Sequence, residues 1–222
     1  MSTAVTADLG MQLQTYIDAG YPKLAGLSRA AFEEAGHAAI GAQDSHEAST
    51  PSKGDEAPGL RRLLVVTREL IAPEVRVPLL RLAGSVKPGI VDRNHDSDAR
   101  KGLRHYQPMP ELAVPVAPMY VLLGIDRGDE FRGVRPLDAA EVVASRDRSP
   151  LTIDEGISLV AVAPELLVKN HCFMLAGSTR GDKRMPALWI ADGAPKLGWC
   201  YDRNPHSWLG MASAERRISP AA

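Results

Sequence analysis

Met185-Pro186-Ala187-Leu188-Trp189-Ile190-Ala191, Asp192-Gly193, then Pro195-Lys196-Leu197-Gly198-Trp199-Cys200-Tyr201 is the stretch on which the fold turns. Asp-Gly between two apolar runs signals a hairpin, because both central residues of a type I′ turn need positive φ. Upstream, a third apolar run, His171-Cys172-Phe173-Met174-Leu175-Ala176, is separated from the first by a charged turn, Thr179-Arg180-Gly181-Asp182-Lys183-Arg184. Three short runs bounded by turn residues predict a three-stranded antiparallel meander over 170–201. Pro186 and Pro195 donate no ladder hydrogen bond, which assigns them to the first residues of strands or to an edge. The segment Asn170–Gly210 also carries all three tryptophans and both cysteines.

An up-down-up path has a geometric consequence. It predicts His171, Asp192 and Lys196 at one end of the sheet. At the other it gathers Ser178, Arg180 and Asp182 with Asp202, Asn204 and His206. Asn204-Pro205 has the form of an N-cap and first helical residue, whose free N–H groups would face the same end. This end is the candidate site: His206, Asp182 and Asp202 for acid–base work, and Arg180, Asn204, Ser178 and Trp208 for ligand binding. A histidine between carboxylates and N–H donors suits acid or base chemistry near neutral pH.

A chain of 222 residues with 45% hydrophobic and 24% charged residues buries a substantial core without disulfides or metals. Its 26 basic and 27 acidic residues leave a net charge of −1, which creates no field for nucleic acid or an anionic membrane. Lys23 is the first basic residue, which argues against a secretory leader, and the weakly polar run Leu112–Ile125 is too short to span a bilayer. The expectation is a soluble cytoplasmic protein. Cys172 and Cys200 fall on the first and third strands of the meander, two spacings or roughly 9–10 Å apart, which predicts free thiols.

Leu9, Leu13, Tyr16 and Ile17 form one helical stripe, ended at Gly20-Tyr21-Pro22. Ser28 is a suitable N-cap for a second helix, with Ala31, Phe32, Ala35 and Ala39 on one face. Residues 43–59 turn polar, with Ser, Thr, Pro and Gly, and read as a flexible linker between a helical segment, 1–42, and a main domain, 60–222. Leu63–Val66 and Met119–Ile125 read as strands, and Val75–Leu82 as an extended segment. Pro136 opens a helix with the stripe Leu137, Ala140, Val143 and Ala144. Thr152 and Glu155 have the spacing of a capping box, followed by the buried positions Ile153, Ile157, Val160 and Ala161. The fold class is therefore α+β: a mainly antiparallel sheet ending in the meander, with helices packed against it.

Ser149-Pro150-Leu151-Thr152-Ile153-Asp154-Glu155-Gly156, His171–Ser178, Pro186–Ile190 and Ala194–Cys200 with Asn204-Pro205-His206 resemble an actinobacterial family of uncharacterised proteins, a domain of unknown function. The similarity runs from about Leu63 to Met211. It implies a shared fold and brings no activity, cofactor or catalytic residue.

Recognised catalytic motifs are absent from the residues themselves. Asp92–Asp98 alternates oxygen ligands, but Ser97 stands where a calcium loop needs Gly and Leu103 where it needs Glu. His171, Cys172, Cys200 and His206 are zinc-competent in type, yet adjacent strand residues face opposite ways and no Cys-x-x-Cys anchors a site. Ser178 lacks a nucleophile-elbow context, and Gly-x-Gly-x-x-Gly does not occur. Asp154 and Glu155, in a first helical turn, are accounted for by capping. No metal and no cofactor is expected. The favoured reading is a binding module for a small molecule or a protein partner. The alternative is a hydrolase- or transferase-like enzyme centred on His206 with Asp182 or Asp202.

Overall fold

A computed structural model of the protein describes residues 8–49, 60–92 and 102–220. Helix α1 (Leu9–Asp18) starts where the Asp8 carboxylate accepts from the amides of Gly10 (2.7 Å) and Met11 (3.3 Å). Leu9, Leu13 and Tyr16 are its buried face, as the stripe predicts. Gly20, at φ 84°, reverses the chain into the single turn α2 (Tyr21–Leu24). The Ser28 hydroxyl then accepts from Ala31 N at 3.1 Å and caps α3 (Arg29–Ser49). That helix runs on past the composition change at Gln43, which is itself buried. The rest of the predicted linker, 50–59, and most of the acidic loop, 93–101, lie outside the described residues.

The main body follows in the order β1 (Arg62–Val66), α4 (Pro73–Arg76), β2 (Ile90–Val91), β3 (Gln107–Pro108), β4 (Met119–Leu123), α5 (Pro136–Ser145), β5 (Ser149–Pro150) and α6 (Ile153–Val162). After these come β6 (Cys172–Met174), β7 (Ser178–Thr179), β8 (Arg184–Ala191), β9 (Ala194–Tyr201), β10 (Leu209–Met211), β11 (Ser213–Ala214) and β12 (Arg216–Ile218). One sheet has the order β1-β4-β12, antiparallel throughout; a larger one has the order β10-β6-β8-β9-β2. The architecture is α+β.

In the first sheet successive residues point to opposite faces, and both faces are covered. Leu64, Val66, Met119, Val121 and Ile218 pack on the helices α1 and α3. Leu63, Val65, Tyr120 and Leu122 belong to the main core. This explains why β1 and β4 read as unbroken apolar runs and not as alternating ones. Helix α6 packs on both β1 and β8, and every residue from Ile153 to Val160 is buried. Its capping box is present as predicted: Thr152 Oγ1 accepts from Glu155 N (3.3 Å), and Glu155 Oε2 accepts from Thr152 N (2.6 Å).

The meander stands. β6 pairs with β8 and β8 with β9, both antiparallel, and Asp192 (φ 53°) and Gly193 (φ 73°) close the hairpin. Four local expectations need correction. Pro186 sits two residues inside the central strand β8, just past the last paired residue of β6, where its carbonyl accepts from Leu175 N at 2.8 Å. A missing N–H is tolerated there because no β6 carbonyl is paired at that position. Val75–Leu82 is helical at its start, not extended: Pro73 and Pro78 occupy opening positions of α4 and of a 3-10 turn, where their fixed φ suits a helix. In α5 the buried residues are Pro136, Ala139 and Val143, while Leu137 is 39% exposed. Finally, no helix follows Asn204: residues 202–208 form a turn and an irregular segment leading to β10.

Candidate functional site

The turn between β7 and β8 is built around Asp182. Its Oδ2 lies 3.0 Å from Arg180 Nε and 2.8 Å from Arg184 Nη1, and its Oδ1 accepts from Arg184 N at 2.9 Å. Partial burial opposes ionisation, but the Arg184 backbone amide and the two guanidinium groups together hold the carboxyl below its usual range. The Arg180 guanidinium stacks 5.0 Å from the Tyr106 ring centroid, and that of Arg184 lies 4.7 Å from Trp199 and 5.8 Å from Tyr201. Ser178 is buried, and its hydroxyl accepts from Ile153 N at 2.9 Å, satisfying an amide of the first turn of α6. Asp202 N donates to Lys183 O (2.9 Å) and Leu137 N to Asp202 O (3.0 Å), so the Asp202 backbone ties the turn to α5. Asn204 N closes a tight turn on Tyr201 O at 3.1 Å.

His206 is not part of this cluster. β10 runs parallel to β6, with Leu209 level with Cys172, so the chain after Tyr201 must cross back along the sheet before it pairs. That crossing carries His206 and Trp208 to the end that holds His171, Trp189 and Lys196. Arg184 and Trp189 lie roughly 16 Å apart along β8, at about 3.3 Å per residue. No hydrogen bond or ion pair joins His206 to Asp182 or Asp202, and only burial acts on its pKa, lowering it. The sequence pattern misplaces His206 because it shows no strand after Tyr201. Short β10 reads as nothing in particular, yet its parallel pairing decides where the preceding loop goes.

At this second end the aromatic side chains form a row. Trp189 and Trp208 meet edge to face with centroids 6.0 Å apart, and the His206 ring lies 5.3 Å from Trp208. All three are half-buried, and the two tryptophans pack against the main core. Lys196 Nζ stands 5.8 Å from the Trp189 ring and is held by Asp92 at 2.8 Å. His206 Nε2 is enclosed and has no hydrogen-bond partner among the described residues, which with the lowered pKa keeps the imidazole neutral at neutral pH. Nearby in the fold, His171 Nδ1 lies 3.3 Å from Asp129 Oδ2, an oxygen that Arg127 Nη2 holds at 2.7 Å.

The largest concentration of buried charge is one that capping alone does not explain. Asp154, at the start of α6, accepts from Arg68 Nε at 2.7 Å and from Arg76 Nη2, and Arg76 is fully buried. Next to it Glu155 takes Arg217 Nε (2.7 Å) and the Tyr120 hydroxyl (2.6 Å) while also capping the helix. The acidic pair is visible in the sequence. Its three arginines, scattered over 68, 76 and 217, share no local pattern with it.

Cys172 and Cys200 are buried, free, and on strands separated by β8. Burial pushes the Cys172 thiol up and the Cys200 thiol up to about 12. Among the described residues no group of three or more His, Cys, Asp or Glu is placed to hold a metal ion. Of the stretch Asp92–Leu103, only Asp92, Gly102 and Leu103 are described. A cavity of about 110 Å³ lies away from both ends of the meander, lined by residues of α1, α2 and α6 with Leu79 and Arg81.

These features define an α+β protein with a charge-locked central helix and an aromatic row on the meander, and no described helix is long and apolar enough to cross a membrane. The chain belongs to a family of unknown function, DUF5701, whose profile matches residues 15–220. No curated protein and no solved structure matches it.

Proposed function

We propose that the chain is a binding module that docks a protein partner on the aromatic row Trp189, Trp208 and His206. The observation that supports this reading is the edge-to-face pair of half-buried tryptophans, with a neutral histidine beside it. Large, rigid aromatic groups that lose little freedom on contact are the groups that dominate protein interfaces. The near-zero net charge supports a protein surface as partner, in preference to nucleic acid or an anionic membrane. On this reading Ser178, Arg180, Asp182, Asp202 and Asn204 serve the local fold of the turn and of the crossing segment. The acid–base alternative keeps only the neutral imidazole of His206 in its favour, because Asp182 is engaged with two arginines and neither it nor Asp202 bonds to the ring. A cytoplasmic location in an actinobacterium belongs to the same proposal, supported by the two thiols and by the family resemblance.

The test is a photo-crosslinking amino acid placed at Trp208 in cells, with the same probe at exposed Gln14 as control. A discrete adduct from position 208 that disappears on Trp189→Ala is the expected result. A smear shared with the control, or no adduct, overturns the reading.

A further inference from the structure

Between the 3-10 turn Pro110–Leu112 and β4 the chain reads Ala113-Val114-Pro115-Val116-Ala117-Pro118. No charged residue lies between Glu111 and Asp126, yet the Val116 side chain is 89% exposed. Val114 packs on the main core and Ala117, three residues on, is buried, while Val116 and Pro118 face solvent. Three residues per turn is the period of a polyproline II helix. The prolines favour it, since each fixes its own φ and biases the residue before it toward the extended region.

Val114, Pro115 and Val116 make no backbone hydrogen bond among the described residues, so their carbonyls are unused acceptors. The loop is nevertheless held at both ends. Upstream, Met109 N donates to Gly177 O at 2.9 Å and Ala113 N to Pro110 O at 3.3 Å. Downstream, Thr67 N donates to Pro118 O at 3.0 Å, and the Thr67 hydroxyl donates to Ala117 O. A segment already fixed in place loses little freedom when it docks. An uncharged segment with prolines at i and i+3 and unused carbonyls suits a groove lined by aromatic rings. There the rings pack on the prolines, and N–H donors between them meet the carbonyls.

The same chain carries a receiver of that kind. In the row Trp189, Trp208 and His206 the ring centroids are 6.0 and 5.3 Å apart. Neither indole N–H is enclosed, and neither has a hydrogen-bond partner among the described residues. In polyproline II geometry Pro115 and Pro118 lie about 9 Å apart, a spacing that reaches across more than one of these rings. Charge lets two copies meet: the loop carries none, burial keeps His206 neutral, and a net charge of −1 leaves little repulsion between chains. We propose, on the basis of the docking role inferred for that row, that its partner is a second copy of this chain, which lays its Ala113–Pro118 loop across Trp189 and Trp208. Each copy offers one loop and one row, so the contact is heterologous. A loop of this length covers a small area, which makes the association weak and reversible.

The experiment is analytical sedimentation of the purified full chain over a range of concentrations. The weight-average mass of the wild type is expected to rise with concentration. Val116→Asp, at an exposed position, and Trp208→Ala should each associate about tenfold or more weakly. Mixed together, these two variants should form a complex of one of each, since one keeps its row and the other its loop. An acetylated and amidated peptide of residues 112–119 should shift the tryptophan emission of Val116→Asp saturably, whether or not Trp208→Ala folds. In cells, the adduct from the probe at position 208 should have twice the mass of the chain and disappear on Val116→Asp. A wild type that is monomeric at every concentration, association undiminished by Val116→Asp, or a peptide without effect would each overturn the proposal. So would a mixture that fails to associate although Trp208→Ala keeps the circular dichroism of the wild type. An adduct of another mass that survives Val116→Asp would overturn it too, while leaving docking on the row intact; no adduct at all would overturn both.

Discussion

The indole of Trp189 lies across Gly198 on the neighbouring strand, so close that a Cβ at position 198 would overlap the ring. The two positions are diagonal neighbours on one face of the β8–β9 pair, since Ala187 is level with Gly198 and Trp189 with Lys196. A glycine here does what a small residue in a strand does for an adjoining aromatic: it lets the ring lie flat on the backbone. Gly198→Ala should lift Trp189 away from the strand and disturb its contact with Trp208. The expected cost is about 1–3 kcal/mol, read as a lower urea midpoint, together with a shifted tryptophan emission maximum. An unchanged midpoint and unchanged emission would mean that the ring has room to move aside at no cost.

The second prediction concerns Asp154. Its carboxylate neutralises Arg76, which is wholly buried, and Arg68, which is partly buried. Removing it strands the Arg76 charge in a low-dielectric interior, and breaking a buried pair from one side costs about 3–5 kcal/mol. Asp154→Ala should lose that much in urea denaturation. Asp138→Ala, in the exposed Arg135–Asp138 pair, should leave the urea midpoint almost unchanged. Equal losses for the two variants would show that the buried cluster contributes nothing special.

Much of this fold is legible in the sequence, for identifiable reasons. Asp192-Gly193, Thr152 with Glu155, and Ser28 each act through bonds to residues within three or four positions, so the pattern contains both partners. The apolar runs of β1 and β4 announce themselves because both faces are buried. What escapes is decided at long range. Arg217 reaches Glu155 across 62 positions and Arg76 reaches Asp154 across 78. The same holds for the candidate site: three residues of β10, paired in parallel with β6, carry His206 away from Asp182 and set Trp208 against Trp189. A three-residue strand has no periodicity to read.

Thiol reactivity follows from burial. Cys200, pushed up to about 12, and Cys172, raised by the same cause, hold almost no thiolate at neutral pH. Iodoacetamide should leave the native protein unmodified over a period in which it labels both positions in denaturant. Mass spectrometry should find two free thiols with or without prior reduction. Rapid labelling of Cys200 in the native state would contradict its placement, and a bridge would require a different strand order.

The last prediction is a pH dependence. Burial holds the pKa of His206 in the folded protein below the ordinary value of 6.5. As pH falls, the unfolded chain therefore takes up this proton before the folded one does. Stability is full above about pH 6.5 and declines from there down to the folded pKa, because in that window the unfolded state binds more protons. No carboxylate is paired with the ring to reverse the sign. His206→Phe keeps an aromatic ring against Trp208 and removes the proton uptake. Urea midpoints at pH 7.5 and pH 5 should then fall further for the wild type than for His206→Phe, the difference cancelling every other titrating group. Parallel behaviour of the two proteins would show that His206 titrates as it does in water, and that the ring is not enclosed as the structure places it.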